Sequence, residues 1–270
     1  MKAQIAVIAE HKENRILPAT YETLFFAMEL GEHLGLNVSI LILGNTVGAM
    51  ANQLAAKTGS HVTGIEGGSL ELYNGEAYKA VALEALKTFN PLLYVCMPHT
   101  ATGFDLAPRL AFALKASCVT SVEKIRAGVG NIRFIRSMFN GKLHAEISPG
   151  AAKTVLTILP GARPSLDIHP KSKGSVHIIR TDFVPVASKT LEIKESESGK
   201  LNLGDADVII SAGRGIRNPE NRHLLEAFAK IFPKSALGAS KAACDLGWFG
   251  YQRQIGITGQ TVSPKLYIAC

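Results

Sequence analysis

Apolar positions along the first ~185 residues come in short, strand-length runs that alternate with stretches of helical spacing, the pattern of an α/β domain built on a largely parallel sheet. QIAVIAE near the start, NVSILILG and LLYVCMP read as the clearest strands. Between the first two, Pro18 and Gly35 mark the start and stop of a helix whose inner stripe is predicted as Tyr21, Leu24, Phe25 and Met28. The stretch from Glu76 to Phe89 behaves similarly, with Tyr78, Val81, Ala82, Ala85 and Leu86 on one side. After Ser117 the pattern changes. VTSVEKIRAG, NIRFIRSMFN, KLHAEISPG and TVLTILPG are strand-like, and GVGN and FNGK have turn chemistry, so hairpins added to the sheet are expected.

From about Val186 to Leu203 the apolar rhythm gives way to polar and charged residues, with KESESGK the most solvated part. This predicts a linker over 187–204 between an α/β domain at 1–186 and a second domain at 205–270. In DADVIISAGRGI, Val208, Ile209 and Ile210 read as a buried parallel strand, and Gly213, Arg214 and Gly215 as a tight turn whose backbone can approach a ligand. Asn218 is placed to cap the following helix, Pro219 suits its first turn, and Leu224, Leu225, Phe228, Ile231 and Phe232 give it one predicted apolar face. An anion such as a pyrophosphate is favoured at such a helix start, where free N–H groups and the positive dipole end converge. The segment reads as the first half of a doubly wound dinucleotide-binding domain, since a complete one normally needs well over ~100 residues.

The 270 residues and 47% hydrophobic content are enough for two domains of unequal size. No apolar run approaches the ~20 residues of a membrane helix. MKAQIAVIAE enters a strand without a signal or transit pattern, so a cytoplasmic, bacterial-type location is expected. Cys96, Cys118, Cys244 and Cys270 lack the spacing of a zinc site, an iron–sulfur cluster or a redox dithiol, and are expected to be buried, reduced thiols. The formal charge of +7 is dispersed, which argues against nucleic acid and suits an anionic dinucleotide or acidic partner proteins. His99, Thr100, Thr102, Gly103 and Asp105 follow LLYVCMP on the ligand side of the sheet, where a turn and helix cap is favoured over a catalytic His–Asp pair. No nucleophile, paired carboxylates or metal-ligand spacing of histidines can be assembled.

SAGRGIRNPENRHLLEAFAK, LGASKAACDLGW and YQRQIGITGQTVSPKLYIA, in that order, resemble successive pieces of the FAD-binding domain of the electron-transfer flavoprotein alpha subunit. IAVIAEHKENRILPAT, TATGFDLAPRLAFAL, FIRSMFNGKLHAEI and TVLTILPGARP resemble the same family more loosely, so the resemblance covers nearly the whole chain. It implies FAD as cofactor, contacted by Gly213, Arg214, Gly215, Ser240, Lys241, Gln254, Gly256, Thr258 and Gly259. It further implies a first domain that scaffolds a heterodimer with a beta subunit. The pair is then an electron carrier rather than a self-contained enzyme, taking electrons from partner dehydrogenases and passing them to an acceptor oxidoreductase.

The chain departs from the family pattern in three places. Lys241 stands where an arginine beside the flavin is typical; it keeps the charge that favours anionic reduced flavin but not the planar, five-donor fork. Ile257 replaces a usual second glutamine. Family members also continue past LYIA into a GISGAxQH segment, whose histidine contacts the flavin, and later into an NKD strand end. The expectation is an FAD site incomplete in this chain: either the polypeptide alone does not retain FAD, or the sequence is part of a longer one. The alternatives are a nicotinamide-linked oxidoreductase and a flavin-free nucleotide-binding or scaffold subunit. Against the first, no third glycine follows SAGRG at fingerprint spacing, and no acidic residue ends a second strand ~20 residues later.

Overall fold

The apolar runs form strands because both faces of each can be covered. In β1 (Ala3–Ala9), Ile5, Val7 and Ala9 enter one core while Ala6 and Ile8 enter the other. A strand covered on both sides reads as a continuous hydrophobic run, without the alternation of a half-exposed one. The computed structural model describes residues 3–128, 131–139, 141–162, 173–181, 186–188, 190, 203–256, 259–260 and 262–270. The chain divides into two units, Met1–Leu191 and Glu192–Cys270.

In the first unit β1 is followed by the short antiparallel pair β2 (His11–Lys12) and β3 (Arg15–Ile16). Then come α1 (Pro18–Leu34), β4 (Asn37–Gly44), α2 (Gly48–Thr58), β5 (His61–Glu66), α3 (Gly75–Leu86), β6 (Tyr94–Pro98), α4 (Ala101–Leu114) and β7 (Ser117–Val122). The strands β8 (Lys124–Gly128), β9 (Asn131–Met138), β10 (Leu143–Ile147), β11 (Thr154–Ile158) and β12 (Ser175–Arg180) complete it. Seven strands form one sheet in the order β12-β5-β4-β1-β6-β11-β7, with every neighbouring pair parallel. Leu24, Phe26 and Leu30 of α1 and Leu54 of α2 pack on one face; Val81 and Leu86 of α3 and Leu106 and Leu110 of α4 pack on the other. Each such side chain contributes about 1.5–3 kcal/mol on burial.

Two expectations for this unit need correction. The hairpins do not extend the main sheet: β10-β9-β8 form their own antiparallel sheet, held by Phe134, which reaches from β9 into the α1 core. GVGN and FNGK each include residues outside the described set. In α1, Pro18 opens the helix and Gly35 closes it at φ 65, but the buried stripe is Thr20, Thr23, Leu24, Phe26, Ala27 and Leu30. Tyr21, Phe25 and Met28 are only half-buried. With apolar residues on adjacent flanks, spacing leaves the rotation open, and the small residues Ala27 and Gly31 decide it by fitting closely against the sheet. A Cβ on Gly31 would lie 3.4 Å from Val38 Cγ2.

Most of 187–204 lies outside the described residues. The second unit contains β13 (Val208–Ala212), α5 (Arg222–Ala229), β14 (Ser235–Ala239), α6 (Lys241–Asp245) and β15 (Leu266–Ala269). Its strands form a parallel sheet in the order β14-β13-β15. One face is covered by α5 and α6 through Leu225, Ala229, Ala243 and Cys244, and the other by Leu203, Ala206, Ile255 and Val262. Here too the predicted helix face is too broad: Asn218 caps a single 3-10 turn, Pro219–Asn221, and in α5 only Leu225 and Ala229 are buried. Leu224, Phe228 and Ile231 are exposed, Phe228 packing edge-on against Phe232. All four cysteines are free, yet only Cys96 and Cys244 are buried; Cys118 and Cys270 lie in strands or strand ends that face solvent.

Candidate functional site

In the second unit the chain leaves β13 toward β14 and later returns to place β15 on the other side of β13. The carboxyl ends of β13 and β15 therefore flank a topological switch point, the position at which open α/β sheets bind ligands. Backbone hydrogen bonds tie the predicted segments along this edge. The Gly213 amide donates to the Cys270 carbonyl at 2.6 Å, Ser240 to Ala212 at 2.8 Å, and Ile255 to Ala239 at 2.9 Å. The loop after Gln254 closes on itself, with Gln260 donating to the Gln254 carbonyl at 2.8 Å and Gly256 to the Gln260 carbonyl at 3.2 Å. Gly213, Arg214, Gly215, Ser240, Lys241, Gln254, Gly256 and Gly259 thus share one sheet edge. Thr258 and Ile257 lie outside the described residues.

Glycine is required at two places by close approach. A Cβ on Gly213 would stand 3.0 Å from the Cys270 carbonyl oxygen, and one on Gly259 would stand 2.3 Å from that of Gln254. Arg214 opens a 3-10 turn, Arg214–Ile216, pinned by the buried Ile216, while its own side chain is exposed. Ser240 caps α6, its hydroxyl accepting from the Ala243 amide at 3.3 Å, and Lys241 is exposed at the first position of that helix. Neither Arg214 nor Lys241 has a carboxylate partner among the described residues, so both cations are available to an anion. Glycine backbone, unpaired positive charge and a switch-point crevice suit the diphosphate of a dinucleotide.

The first unit has the same topology at a second place. Its chain builds outward from β1 through β4 and β5, then crosses to β6 on the other side, so the β1/β6 carboxyl ends form a switch point. Glu10, directly after β1, occupies it. The Thr100 hydroxyl lies 2.8 Å from both Glu10 carboxylate oxygens, and Thr20 Oγ1 binds both the amide and the carbonyl of Glu10 at 2.9 Å. Burial pushes the Glu10 pKa up from 4.5 to about 7, against the lowering effect of Thr100 and Gly103. Thr100 caps α4 through the Gly103 amide. His99 and Asp105 do not pair: His99 Nδ1 meets Thr157 Oγ1 at 2.8 Å, and Asp105 accepts from Tyr73 at 2.8 Å and binds Arg109. Glu10 was not singled out from the sequence, although a carboxylate ending an apolar strand was the available signal. An apolar cavity of about 400 Å³, lined by Leu86, Phe89, Leu92 and Leu114, lies at the opposite, amino-terminal edge of the sheet.

Residues 5–182 match the family described as Electron transfer flavoprotein domain, and residues 202–270 match the Electron transfer flavoprotein FAD-binding domain. The electron transfer flavoprotein subunit alpha of Megasphaera elsdenii is 31% identical over 98% of this chain and 80% of its own. The subunit alpha of Syntrophomonas wolfei is 29% identical over 97% and 81%, and that of Bacillus subtilis 27% identical over 100% and 82%. None of these matches favours the nicotinamide-linked or flavin-free reading. Matched in order along both units, and carrying its FAD-binding domain on a switch-point sheet edge, the chain belongs to the electron transfer flavoprotein family as an alpha subunit, whose function is electron transfer by way of FAD.

Proposed function

We propose that this chain is the FAD-holding half of a heterodimeric carrier: a beta subunit completes it, partner dehydrogenases supply electrons, and an acceptor oxidoreductase removes them. Residues 1–186 are the scaffold, 187–204 the linker and 205–270 the cofactor-binding part. The observation that carries this reading is the row of tied segments at the carboxyl edge of the β14-β13-β15 sheet, with Arg214 and Lys241 lacking a carboxylate partner among the described residues.

When bound, FAD supplies the redox chemistry, and the protein supplies binding, orientation and electrostatics. Gly213 and Gly215 keep the turn free of side chains, so the backbone can lie against the diphosphate. Arg214 offers a fixed positive charge and a planar fork of donors, and Lys241 a mobile point charge. The loop after Gln254, tied to β14 through the Ile255 amide and the Ala239 carbonyl, carries Gly256 and Gly259, and Thr258 is proposed as a further FAD contact. A cation near the ring system favours negative charge there. None of these roles requires a nucleophile or a general base, which suits a carrier better than an enzyme acting alone. No described helix is long and apolar enough to cross a membrane, in keeping with a proposed cytoplasmic location.

Co-expression with the beta subunit encoded by the same genome tests the reading. The expected product is a heterodimer containing FAD, from which the R214A/K241A double variant loses most of the flavin while the two chains still associate. A heterodimer that keeps its full FAD content in the double variant would remove these two residues from the site. Failure of the two chains to associate would remove the carrier reading itself.

A further inference from the structure

We propose that Glu10 is a built-in plug of the first unit: its carboxyl group takes the place at the β1/β6 switch point that a ligand phosphate would take, and keeps that crevice closed to nucleotides. This inference goes beyond the FAD site and does not depend on it.

The first sheet has the topology of a nucleotide-binding sheet. At its switch point a helix start, that of α4, faces the carboxyl end of a strand, and free N–H groups at such a start attract anions. In this chain the position is already occupied by a carboxylate delivered from the neighbouring strand. Glu10 is only 9% exposed, and it accepts from the hydroxyl of Thr100, the residue that caps α4, whose Oγ1 in turn accepts from the Gly103 amide at 3.2 Å. It cannot easily swing away, because Thr20 of α1 clamps its backbone from both sides. Around it, Tyr73 and Tyr78 are phenols that feel its charge, and Asp105, which accepts from Tyr73, is itself paired with Arg109 at 3.0 Å. A second anion entering here would meet the Glu10 carboxyl already in place.

Other helix starts on this edge are filled in the same way. Glu66, ending β5, accepts from the Val47 and Gly48 amides at 2.9 and 3.0 Å at the start of α2. The Asn74 side chain accepts from Glu76 and Ala77 at 3.0 and 3.1 Å at the start of α3. The contrast with the second unit, where the corresponding strand ends carry glycines and the cations Arg214 and Lys241, is one of charge sign.

The test is titration of the two-unit chain with inorganic phosphate, at constant ionic strength, followed at the Thr100 and Gly103 amides by NMR. Reading these residues excludes phosphate captured by the second unit. Wild type and the isosteric E10Q, which still fills the space, are expected to show no shift at either amide. E10A, which vacates it, is expected to show saturable shifts and about tenfold or tighter apparent phosphate binding than wild type. Saturable shifts in wild type, or none in folded E10A, overturn the proposal. If E10A does not fold, E10S replaces it, its short hydroxyl leaving the same room for phosphate, and the wild-type titration alone still overturns the proposal if the two amides respond.

Discussion

The hydroxyl of Thr100 lies 2.8 Å from both oxygens of the Glu10 carboxylate, so a single O–H is shared across an anion that burial has stripped of water. The hydrogen bond from Thr100 and the lowering effect of the Gly103 backbone do not offset that loss, and the Glu10 pKa rises from 4.5 to about 7. Between these values the folded protein holds a proton that the unfolded chain has released. The Glu10 contribution to stability is therefore fully present below 4.5 and is lost as pH rises through about 7. At higher pH the buried anion costs on the order of 3 kcal/mol. E10Q should be more stable than wild type at about pH 8 and close to it at about pH 5, as read by urea denaturation. The Tyr73 and Tyr78 phenols, raised by burial first, stay neutral throughout, and His99, lowered by burial and then by Arg136, titrates in both proteins and cancels. A stability difference independent of pH would show that Glu10 is not the titrating group.

Gly103 admits no side chain. A Cβ there would lie 1.9 Å from the Pro98 carbonyl oxygen, a backbone atom that cannot rotate aside. G103A should lose about 3 kcal/mol or more, the upper range for overpacking. T100A, which removes a helix cap, should lose about 1 kcal/mol. A G103A protein with the wild-type denaturation midpoint would contradict the packing described between β6 and α4.

Gly259 presents the same conflict inside the candidate cofactor loop, where its Cβ would meet the Gln254 carbonyl oxygen at 2.3 Å. In the heterodimer, G259A is expected to weaken FAD binding about tenfold or more by displacing the loop. Gly247, at φ 73 with open space around it, is the control: G247A strains only its own backbone and should cost about 1 kcal/mol of stability with FAD affinity unchanged. Equal FAD affinity in both variants would remove the loop from the site.

Arg214 and Lys241 are exposed and have no carboxylate partner among the described residues, so their removal should act on ligand affinity and hardly at all on folding. Each of R214A and K241A is expected to weaken FAD binding in the heterodimer by roughly tenfold, less so at high salt. K241R should restore or exceed wild-type affinity, because the guanidinium adds a planar fork to the same charge. Flavin fluorescence titration reads all three, and a K241A protein with unchanged affinity at low salt would exclude Lys241 from contact.

The order of strands and helices was legible wherever punctuation was local. Pro18 and Gly35 bracket α1, and Asn74 and Thr100 cap the helices they precede. Of the predicted contact residues of the second unit, the Gly213–Gly215 turn was legible from its own chemistry, and the others were named through the family resemblance. The rotation of α1 and of α5 was not legible, since Phe25 and Phe26, or Leu224 and Leu225, are adjacent apolar residues of which the helix buries only one fully. The separate hairpin sheet was also hidden, because β7 and β8 read alike as strands although only β7 joins the parallel sheet.

By itself the amino-acid sequence determined the α/β class, the element order and the glycine and cation pattern at the ends of β13 and β14, because caps, turns and apolar runs act over a few residues. Which strands are neighbours is a long-range matter. Only the tertiary structure put Cys270 beside Gly213 and Gln254 beside Ala239, turning distant stretches into one edge. It alone also brought Glu10 to Thr100, ninety positions away, where burial rather than sequence context sets the charge of a carboxylate.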